Sequence, residues 1–196
     1  MALGVITLAG MFGGYPLMDA PAQRIAEFGL DRLAPTKADR DLETTNVHVY
    51  LRQKRYDPLR LQLRLGGTLS RVTGSITQLT GSFEEGTLRE ETLPSPAWGI
   101  GPSAEAKFAL LRTAPATLDL DFSAAVLLYD RDFPAGGKRY NGMFQIGPSV
   151  TFPLDSGSAF SLGYRWMHVS NGHSLGPENP AYEARGVTLR YRLVLG

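Results

Sequence analysis

The sequence contains no cysteine, so it can form neither disulfides nor thiolate metal sites. Its three histidines are too few and too scattered for a convincing metal centre. Charges of the two signs nearly balance, with a net charge of +1, which gives no electrostatic basis for binding nucleic acid. Beyond the N-terminus there is no run of about 18 apolar residues, so we expect no transmembrane helix. Membrane-spanning β-strands remain open, because they need only about 9–11 residues of alternating polarity.

The N-terminal part of the chain has a different character from the rest. In residues 1–22 an apolar run leads to Ala20-Pro21-Ala22, which resembles the cleavage site of a secretory signal peptide. A short buried strand or helix is the other interpretation of this run. Residues 23–44 predict an N-terminal arm or a short helix, because their apolar residues have weakly helical spacing and Pro35 would end a helix.

From residue 45 onward the hydrophobic pattern has a period of two, which is typical of half-buried β-strands. The strictest alternation covers residues 59–65, where leucine alternates with arginine and glutamine. The pattern predicts eight strands, at residues 45–53, 58–66, 69–83, 97–111, 116–130, 141–154, 159–170 and 182–195. Eight long antiparallel strands can close without leaving a free edge. We therefore expect residues 45–196 to form an all-β, eight-stranded antiparallel up-and-down β-barrel, of the outer-membrane type if lipid covers its apolar face.

The two faces of the predicted barrel differ in polarity. One carries large aliphatic and aromatic side chains, and the other carries Arg60, Arg64, Glu105, Lys107, Asp119, Asp121, Arg190 and Arg192. A soluble lipocalin-like binder would turn the apolar face inward, whereas an outer-membrane barrel turns it toward lipid. Mixed charges favour the second arrangement, because the lumen of a small barrel is packed with paired side chains. Aromatic residues near strand ends also suit interfacial girdles: Tyr50, Trp98, Tyr129, Tyr140, Tyr164, Trp166 and Tyr191.

Three polar residues share the apolar face of the last two strands. Since alternate residues of a strand point the same way, His168 and Ser170 lie on one face with Cβ atoms about 7 Å apart. Glu183 returns on the adjacent strand with the same facing. A histidine can take the proton of a serine hydroxyl, and a carboxylate can orient that histidine. The residues alone leave open both a catalytic triad and a simple turn at Ser170-Asn171 beside an interfacial histidine.

The same stretch resembles the lipid A 3-O-deacylase family of eight-stranded outer-membrane acyl hydrolases. The likeness begins with Arg165-Trp166-Met167-His168-Val169-Ser170-Asn171. It continues through a loop that contains Pro177 and Asn179, then Glu183, and ends with the terminal strand at residues 188–193. The detailed resemblance covers about 35 residues, and the eight-strand layout agrees with it over most of the remaining chain.

The resemblance implies a role for each residue of the cluster. Ser170 corresponds to the nucleophile, His168 to the general base and Glu183 to the residue that orients the histidine, with Glu178 as a poorer candidate. Asn171 corresponds to the asparagine of the oxyanion hole. The implied protein is an esterase of the cell outer membrane that hydrolyses the 3-O-linked acyl chain of lipid A without a metal or organic cofactor.

The implied partners are lipid A or lipopolysaccharide as the substrate and membrane lipid as the surroundings, without nucleic acid. The formation of a homodimer is left open. Two alternative functions also remain at this stage: a non-catalytic structural or adhesion barrel of the outer membrane, and a soluble lipocalin-like binder.

Overall fold

The chain folds into one closed antiparallel β-barrel. The computed structural model describes residues 23–82, 86–154, 157–172 and 180–195, so the predicted signal peptide at residues 1–22 lies outside the described residues. The strands in these ranges are β1 Gln23–Pro35, β2 Arg40–Tyr56, β3 Leu61–Thr80, β4 Arg89–Pro94, β5 Ala97–Arg112, β6 Thr117–Phe133, β7 Lys138–Pro153, β8 Ala159–Ser170 and β9 Tyr182–Val194. Strand β1 pairs with both β2 and β9, which closes the sheet. The short β4 pairs with β3 beyond the end of β5, so β4 and β5 together form one of eight barrel strands.

The two ends of the barrel are distinguished by their connections. Strands β1, β3, β6 and β8 end at one side of the barrel, which we call the loop end. Strands β2, β5 and β7 end at the other, which we call the turn end. No helix in the described part of the chain is long and apolar enough to cross a membrane.

The prediction for residues 23–44 is wrong, because β1 and the start of β2 occupy them in place of an arm or helix. The inward side of β1 mixes apolar and acidic residues: Ile25 and Leu33 are buried on the same side as Glu27 and Asp31. A bulge near the start of β1 also shifts its register with β2. Both features interrupt the period of two by which a strand is recognised in a sequence.

The predicted number of eight barrel strands is confirmed, but two of the strands are made of other residues than predicted. The segments predicted as separate strands at 58–66 and 69–83 belong to one strand, β3, because Gly66 and Gly67 do not form a turn. Gly66 lies against a bulge in β2. A Cβ atom at this position would lie 1.9 Å from the carbonyl oxygen of Val49, so the close approach of the two backbones requires glycine.

The apolar face of the barrel is on the outside. Large side chains such as Phe28, Leu69, Ile100, Leu162 and Leu189 are exposed there, each at an alternate position of its strand. Charged and polar side chains fill the middle of the inside, and an apolar cluster fills its loop end. This orientation contradicts the soluble lipocalin-like alternative, which needs its apolar face inside.

A network of ion pairs fills the middle of the interior. The Arg64 guanidinium lies 2.6 Å from Glu27 and 2.9 Å from Glu105, and Arg190 lies 3.1 Å from the same glutamate. Further pairs join Arg165 to Asp121 and Lys107 to Asp119. Buried charges are tolerated only when they are paired in this way, so the polar face predicted from the sequence forms the packed lumen.

Three residues depart from their predicted positions. Arg60 is exposed in the turn after β2 and takes no part in the lumen. Tyr50 and Tyr129 are buried inside the barrel and do not belong to an outer girdle. Their position in the alternation is inward, and this parity outweighs the preference of tyrosine for an interface. The other aromatic residues predicted for the girdles are exposed outside: Trp98, Tyr140, Tyr164, Trp166 and Tyr191.

Candidate active site

The candidate catalytic residues lie where β8 ends and β9 begins, at the loop end of the barrel. His168 and Ser170 are near the C-terminus of β8, and Glu183 is the second residue of β9. Their neighbours Val169 and Tyr182 point inward and are buried in an apolar cluster at this end of the lumen. Because the inward neighbours are packed, the alternation of the strands places His168, Ser170 and Glu183 on the outer surface.

His168 and Glu183 form the central pair of the site. They are direct partners across the β8–β9 ladder, and Nδ1 of the histidine lies 3.7 Å from Oε1 of the glutamate. The side chains are 36% and 30% exposed, respectively. The separation is longer than a hydrogen bond, but catalytic contacts are often loose in the absence of substrate. In this arrangement Glu183 can orient one ring nitrogen while the other, Nε2, remains available.

An aromatic ring packs against the imidazole of His168 on the side that faces the turn end. The rings of Trp166 and His168 are stacked, with centroids 6.1 Å apart and an interplanar angle of 25°. Phe144 is the cross-strand neighbour of His168 on β7 and meets Trp166 edge to face, at 6.5 Å. These contacts restrict the rotation of the imidazole, as a general base with a defined direction requires.

Ser170 lies beside a glycine of the neighbouring strand, a gap in the outward row of side chains that we call the opening at Gly142. Its cross-strand partner on β7 is Gly142, which has no side chain to cover the serine. Among the described residues, Ser170 Oγ makes no hydrogen bond to the imidazole of His168. The two residues are, however, two positions apart on one strand, so their Cβ atoms lie about 7 Å apart on the same face. From there the imidazole and the hydroxyl can approach each other.

Asn171 directly follows the serine and is 3% exposed, so it is more deeply buried than the other three residues. Its buried position differs from the shared outer face of the histidine, serine and glutamate. The remaining loop residues of the sequence pattern, Pro177, Glu178 and Asn179, lie outside the described residues.

A second histidine, His48, makes shorter polar contacts inside the barrel. His48 Nε2 lies 2.8 Å from Asp31, and Nδ1 lies 2.8 Å from the hydroxyl of Thr68. All three residues are buried, with at most 2% of their surface exposed, and lipid outside the barrel cannot reach them. Within the described ranges no group of three or more histidine and acidic residues is placed to hold a metal ion.

Two features of the site were not predicted from the sequence. The stacking of Trp166 on His168 could have been inferred, because the two residues occupy alternate positions of one strand. The opening at Gly142 could not, because it depends on the register between β7 and β8, which the sequence does not display.

Comparisons with known proteins identify similar chains. The model of the family "Lipid A 3-O-deacylase (PagL)" matches residues 48–192. Among solved structures, the crystal structure of the outer membrane enzyme PagL is 14% identical with a TM-score of 0.53, and the match covers 87% of this chain and 100% of that chain. The outer membrane protein AlkL is 11% identical over 93% of each chain, with a TM-score of 0.28. The β domain of the Bordetella autotransporter BrkA is 10% identical over 89% of this chain and 99% of that chain, with a TM-score of 0.32. No curated protein matches the chain.

Proposed function

The chain belongs to the lipid A 3-O-deacylase (PagL) family of outer-membrane ester hydrolases, and we propose that Ser170, His168 and Glu183 are the triad with which it removes the 3-O-linked acyl chain of lipid A. The observation that carries this proposal is the His168–Glu183 pair, which lies on the outer surface within reach of Ser170. A histidine with a carboxylate on one nitrogen and a hydroxyl near the other has the components needed for acyl transfer.

In the first half of the reaction, Ser170 is acylated. His168 takes the hydroxyl proton as Oγ attacks the carbonyl carbon of the ester, and the carbonyl oxygen becomes an oxyanion. Glu183 accepts the Nδ1–H hydrogen bond and stabilises the imidazolium that forms. Asn171 directly follows the nucleophile in sequence, so its backbone N–H adjoins the reacting serine and is our candidate donor for the oxyanion.

Collapse of the tetrahedral intermediate breaks the bond between the carbonyl carbon and the sugar oxygen. His168 returns its proton to that oxygen, and the deacylated lipid leaves. A water molecule, deprotonated by His168, then attacks the acyl-serine, and the 3-hydroxy fatty acid is released as the serine regains its proton. The cycle consumes one water and restores every residue.

The position of the residues suits a membrane lipid. Outer-membrane barrels have short periplasmic turns and longer loops on the cell surface, so the loop end faces outward from the cell. Lipid A lies in the outer leaflet, with its esters near the headgroups and its acyl chains pointing toward the membrane centre. A chain held by Ser170 can descend along β8 past Trp166, Tyr164 and Leu162, which are all exposed on the outer face.

Mass spectrometry of lipid A tests the proposal. Cells that express the wild type should lose one hydroxyacyl group per lipid A molecule, whereas cells that express Ser170→Ala should retain it. The variant must be shown to be folded in the outer membrane, for example by its heat-dependent mobility in gels. Unchanged lipid A with the folded wild type would favour the non-catalytic barrel, and equal deacylation by Ser170→Ala would contradict the role of the serine.

A further inference from the structure

Arginines continue sideways from the active site around the outside of the barrel. Arg185 lies two residues after Glu183 on β9, and Arg32 and Arg71 lie on β1 and β3; all three are exposed, and we call them the arginine arc. Cross-strand pairs connect Trp166 to Arg185, Arg185 to Ala34, Arg32 to Thr45, Thr45 to Arg71, and Arg71 to Trp98. Arg32 and Arg185 are diagonal neighbours across the β1–β9 ladder, at about 7–8 Å. The arc therefore forms one continuous surface that begins beside the triad.

The arc lies at the edge of the apolar band. On each strand the next outward residue toward the turn end is large and apolar. This residue is Val187 for Arg185, Leu30 for Arg32 and Leu69 for Arg71. Tryptophan occupies both ends of the arc, and this residue is enriched at membrane interfaces. A guanidinium on the lipid face is far better tolerated at this level than at the membrane centre. The arc therefore lies at the height of lipid headgroups.

The charge of the arc is largely uncompensated. Arg32 pairs with Glu43 and donates a hydrogen bond to Thr45 at 2.9 Å. The Arg71 guanidinium lies 5.4 Å from the ring centroid of Trp98. Among the described residues, neither Arg71 nor Arg185 has an ion-pair partner. Three carboxylates lie near the arc: Glu183 is directed at His168, Glu43 pairs with Arg32, and Asp130 accepts the backbone N–H of Trp98 at 3.1 Å. The positive charge available to an anion therefore comes from Arg71 and Arg185.

Part of the arc is concave. Arg32, Thr45, Arg71 and Thr73 line a depression of about 250 Å³ on the outer surface. The Arg71 guanidinium and the hydroxyls of Thr45 and Thr73 supply hydrogen-bond donors to this space, while the Arg32 guanidinium lines it and also donates to Thr45 and Glu43. Guanidinium groups match the geometry of a phosphate, which can accept two parallel hydrogen bonds from each.

We propose that the arginine arc binds the phosphates of the lipid substrate and thereby holds the ester at Ser170. The inference rests on the proposed deacylase function, since lipid A is a phosphorylated glucosamine disaccharide whose phosphates lie at the headgroup level. One phosphate lies against Arg185 beside the triad, and another enters the depression between Arg32 and Arg71. These arginines are positioning residues: they orient the sugar and take no part in bond making.

Direct binding tests the proposal independently of catalysis. The chain contains two tryptophans, Trp98 and Trp166, at the two ends of the arc, so tryptophan fluorescence should report occupancy. The Ser170→Ala barrel in detergent micelles is titrated with lipid A, with enzymatically dephosphorylated lipid A, and with inorganic phosphate. We expect intact lipid A to bind about tenfold more tightly than the dephosphorylated lipid, as charge-assisted hydrogen bonds would give. Equal affinities for the two lipids, or equally tight binding of inorganic phosphate, would overturn the proposal.

Variants locate the binding site. Arg185→Gln and the double variant Arg32→Gln/Arg71→Gln should each lose most of the preference for phosphorylated lipid. Arg24→Gln is the matched control, because Arg24 is an exposed arginine on the same strand as Arg32 but at the turn end. A preference that survives in both arc variants, or that disappears in Arg24→Gln, would place phosphate recognition elsewhere.

Turnover provides the second readout. With Ser170 intact, Arg185→Gln should raise KM for phosphorylated lipid A about tenfold and change kcat by no more than about twofold. The rate on dephosphorylated lipid A should remain close to that of the wild type. An equal loss on both substrates would contradict a role in phosphate binding. Absence of any turnover by the wild type would refute the deacylase function, while the binding titration would still decide on the phosphate site.

Discussion

Two histidines among the described residues have a carboxylate neighbour, and the side of the strand that each one occupies decides what it can contact. His48 has the shorter contact, 2.8 Å to Asp31, but it lies in the sealed lumen. His168 lies 3.7 Å from Glu183 on the surface that meets lipid. A membrane substrate meets the outer surface, so we propose His168 as the catalytic histidine even though His48 has the shorter contact.

The charge of Glu183 is expected to be essential for turnover. Glu183→Gln keeps the size of the side chain but removes the carboxylate that orients His168, so kcat should fall by about 10²–10⁴-fold, by analogy with the loss of the triad carboxylate in serine proteases. Release of fatty acid from lipid A in micelles measures the effect. Glu91→Gln, at an exposed glutamate of β4, is the control and should behave as the wild type. Wild-type turnover by Glu183→Gln would remove this residue from the triad.

The opening at Gly142 is expected to admit the substrate. A Cβ atom there would lie 3.5 Å from the backbone oxygen of Ser170, an ordinary contact, so Gly142→Leu should fold. Its side chain would cover the outer surface beside the serine, and we expect kcat/KM to fall at least about tenfold because the ester loses its approach. Gly67→Leu is the matched control, since a Cβ there also meets one backbone oxygen at 3.5 Å, on the distant strand β3. Equal activities of the two variants would contradict the idea.

At the scale of elements, the strands that could be predicted are those with uniform faces. Strands β8 and β9 expose large apolar residues at alternate positions. The sequence therefore predicts which side of each strand faces outward and that His168, Ser170 and Glu183 share this side. Strand β1 could not be predicted, because its inward side combines Ile25 and Leu33 with acidic residues. The arginine arc was equally hidden, since it depends on the pairing of β1 with β9, which are far apart in the sequence.

The lumen network is expected to hold β8 in place behind the site. Arg165 pairs with Asp121 of β6 and donates hydrogen bonds to the carbonyl oxygens of Gly147 and Pro148 on β7. Arg165→Met would leave a buried carboxylate poorly paired, so the free energy of unfolding should fall by about 3–5 kcal/mol. Urea titration of the barrel in phospholipid vesicles measures this difference.

A surface pair supplies the control for that experiment. Arg131 lies 3.2 Å from Asp130, but both side chains are well exposed, so Arg131→Met should leave the free energy of unfolding nearly unchanged. The double variant Arg165→Met/Asp121→Leu should recover part of the loss, because it removes the unpaired charge together with its partner. An Arg165→Met barrel as stable as the wild type would show that the network does not support β8.

At the scale of the whole molecule, the barrel reverses the usual distribution of polarity. Ion pairs fill the middle of the lumen, an apolar cluster fills its loop end, and apolar side chains cover the outside. The turn end of the lumen keeps a polar cavity of about 190 Å³, too small for a lipid, so the outer surface is where substrate and protein can meet. The proposed triad and the arginine arc lie on that surface at the loop end, beside the apolar band.

This arrangement predicts the depth of both tryptophans. In vesicles, phospholipids brominated near the carbonyl end of their chains should quench Trp98 and Trp166 more strongly than lipids brominated near the methyl end, because both residues lie at the edge of the apolar band. Trp98→Phe and Trp166→Phe variants separate the two signals. Stronger quenching from the methyl end would place the active site too deep for the headgroups, and no quenching would indicate that the residues do not meet lipid.

Covalent trapping of the nucleophile tests the central claim most directly. A long-chain alkyl fluorophosphonate, presented in detergent micelles, should transfer its phosphonyl group to an activated serine as fluoride leaves, and intact-protein mass spectrometry then counts the adducts. We predict one adduct on the wild type, located on Ser170 by peptide analysis, none on Ser170→Ala, and much slower labelling of Glu183→Gln. An adduct on another residue, or equal labelling of Ser170→Ala, would contradict the triad on the outer face of the barrel.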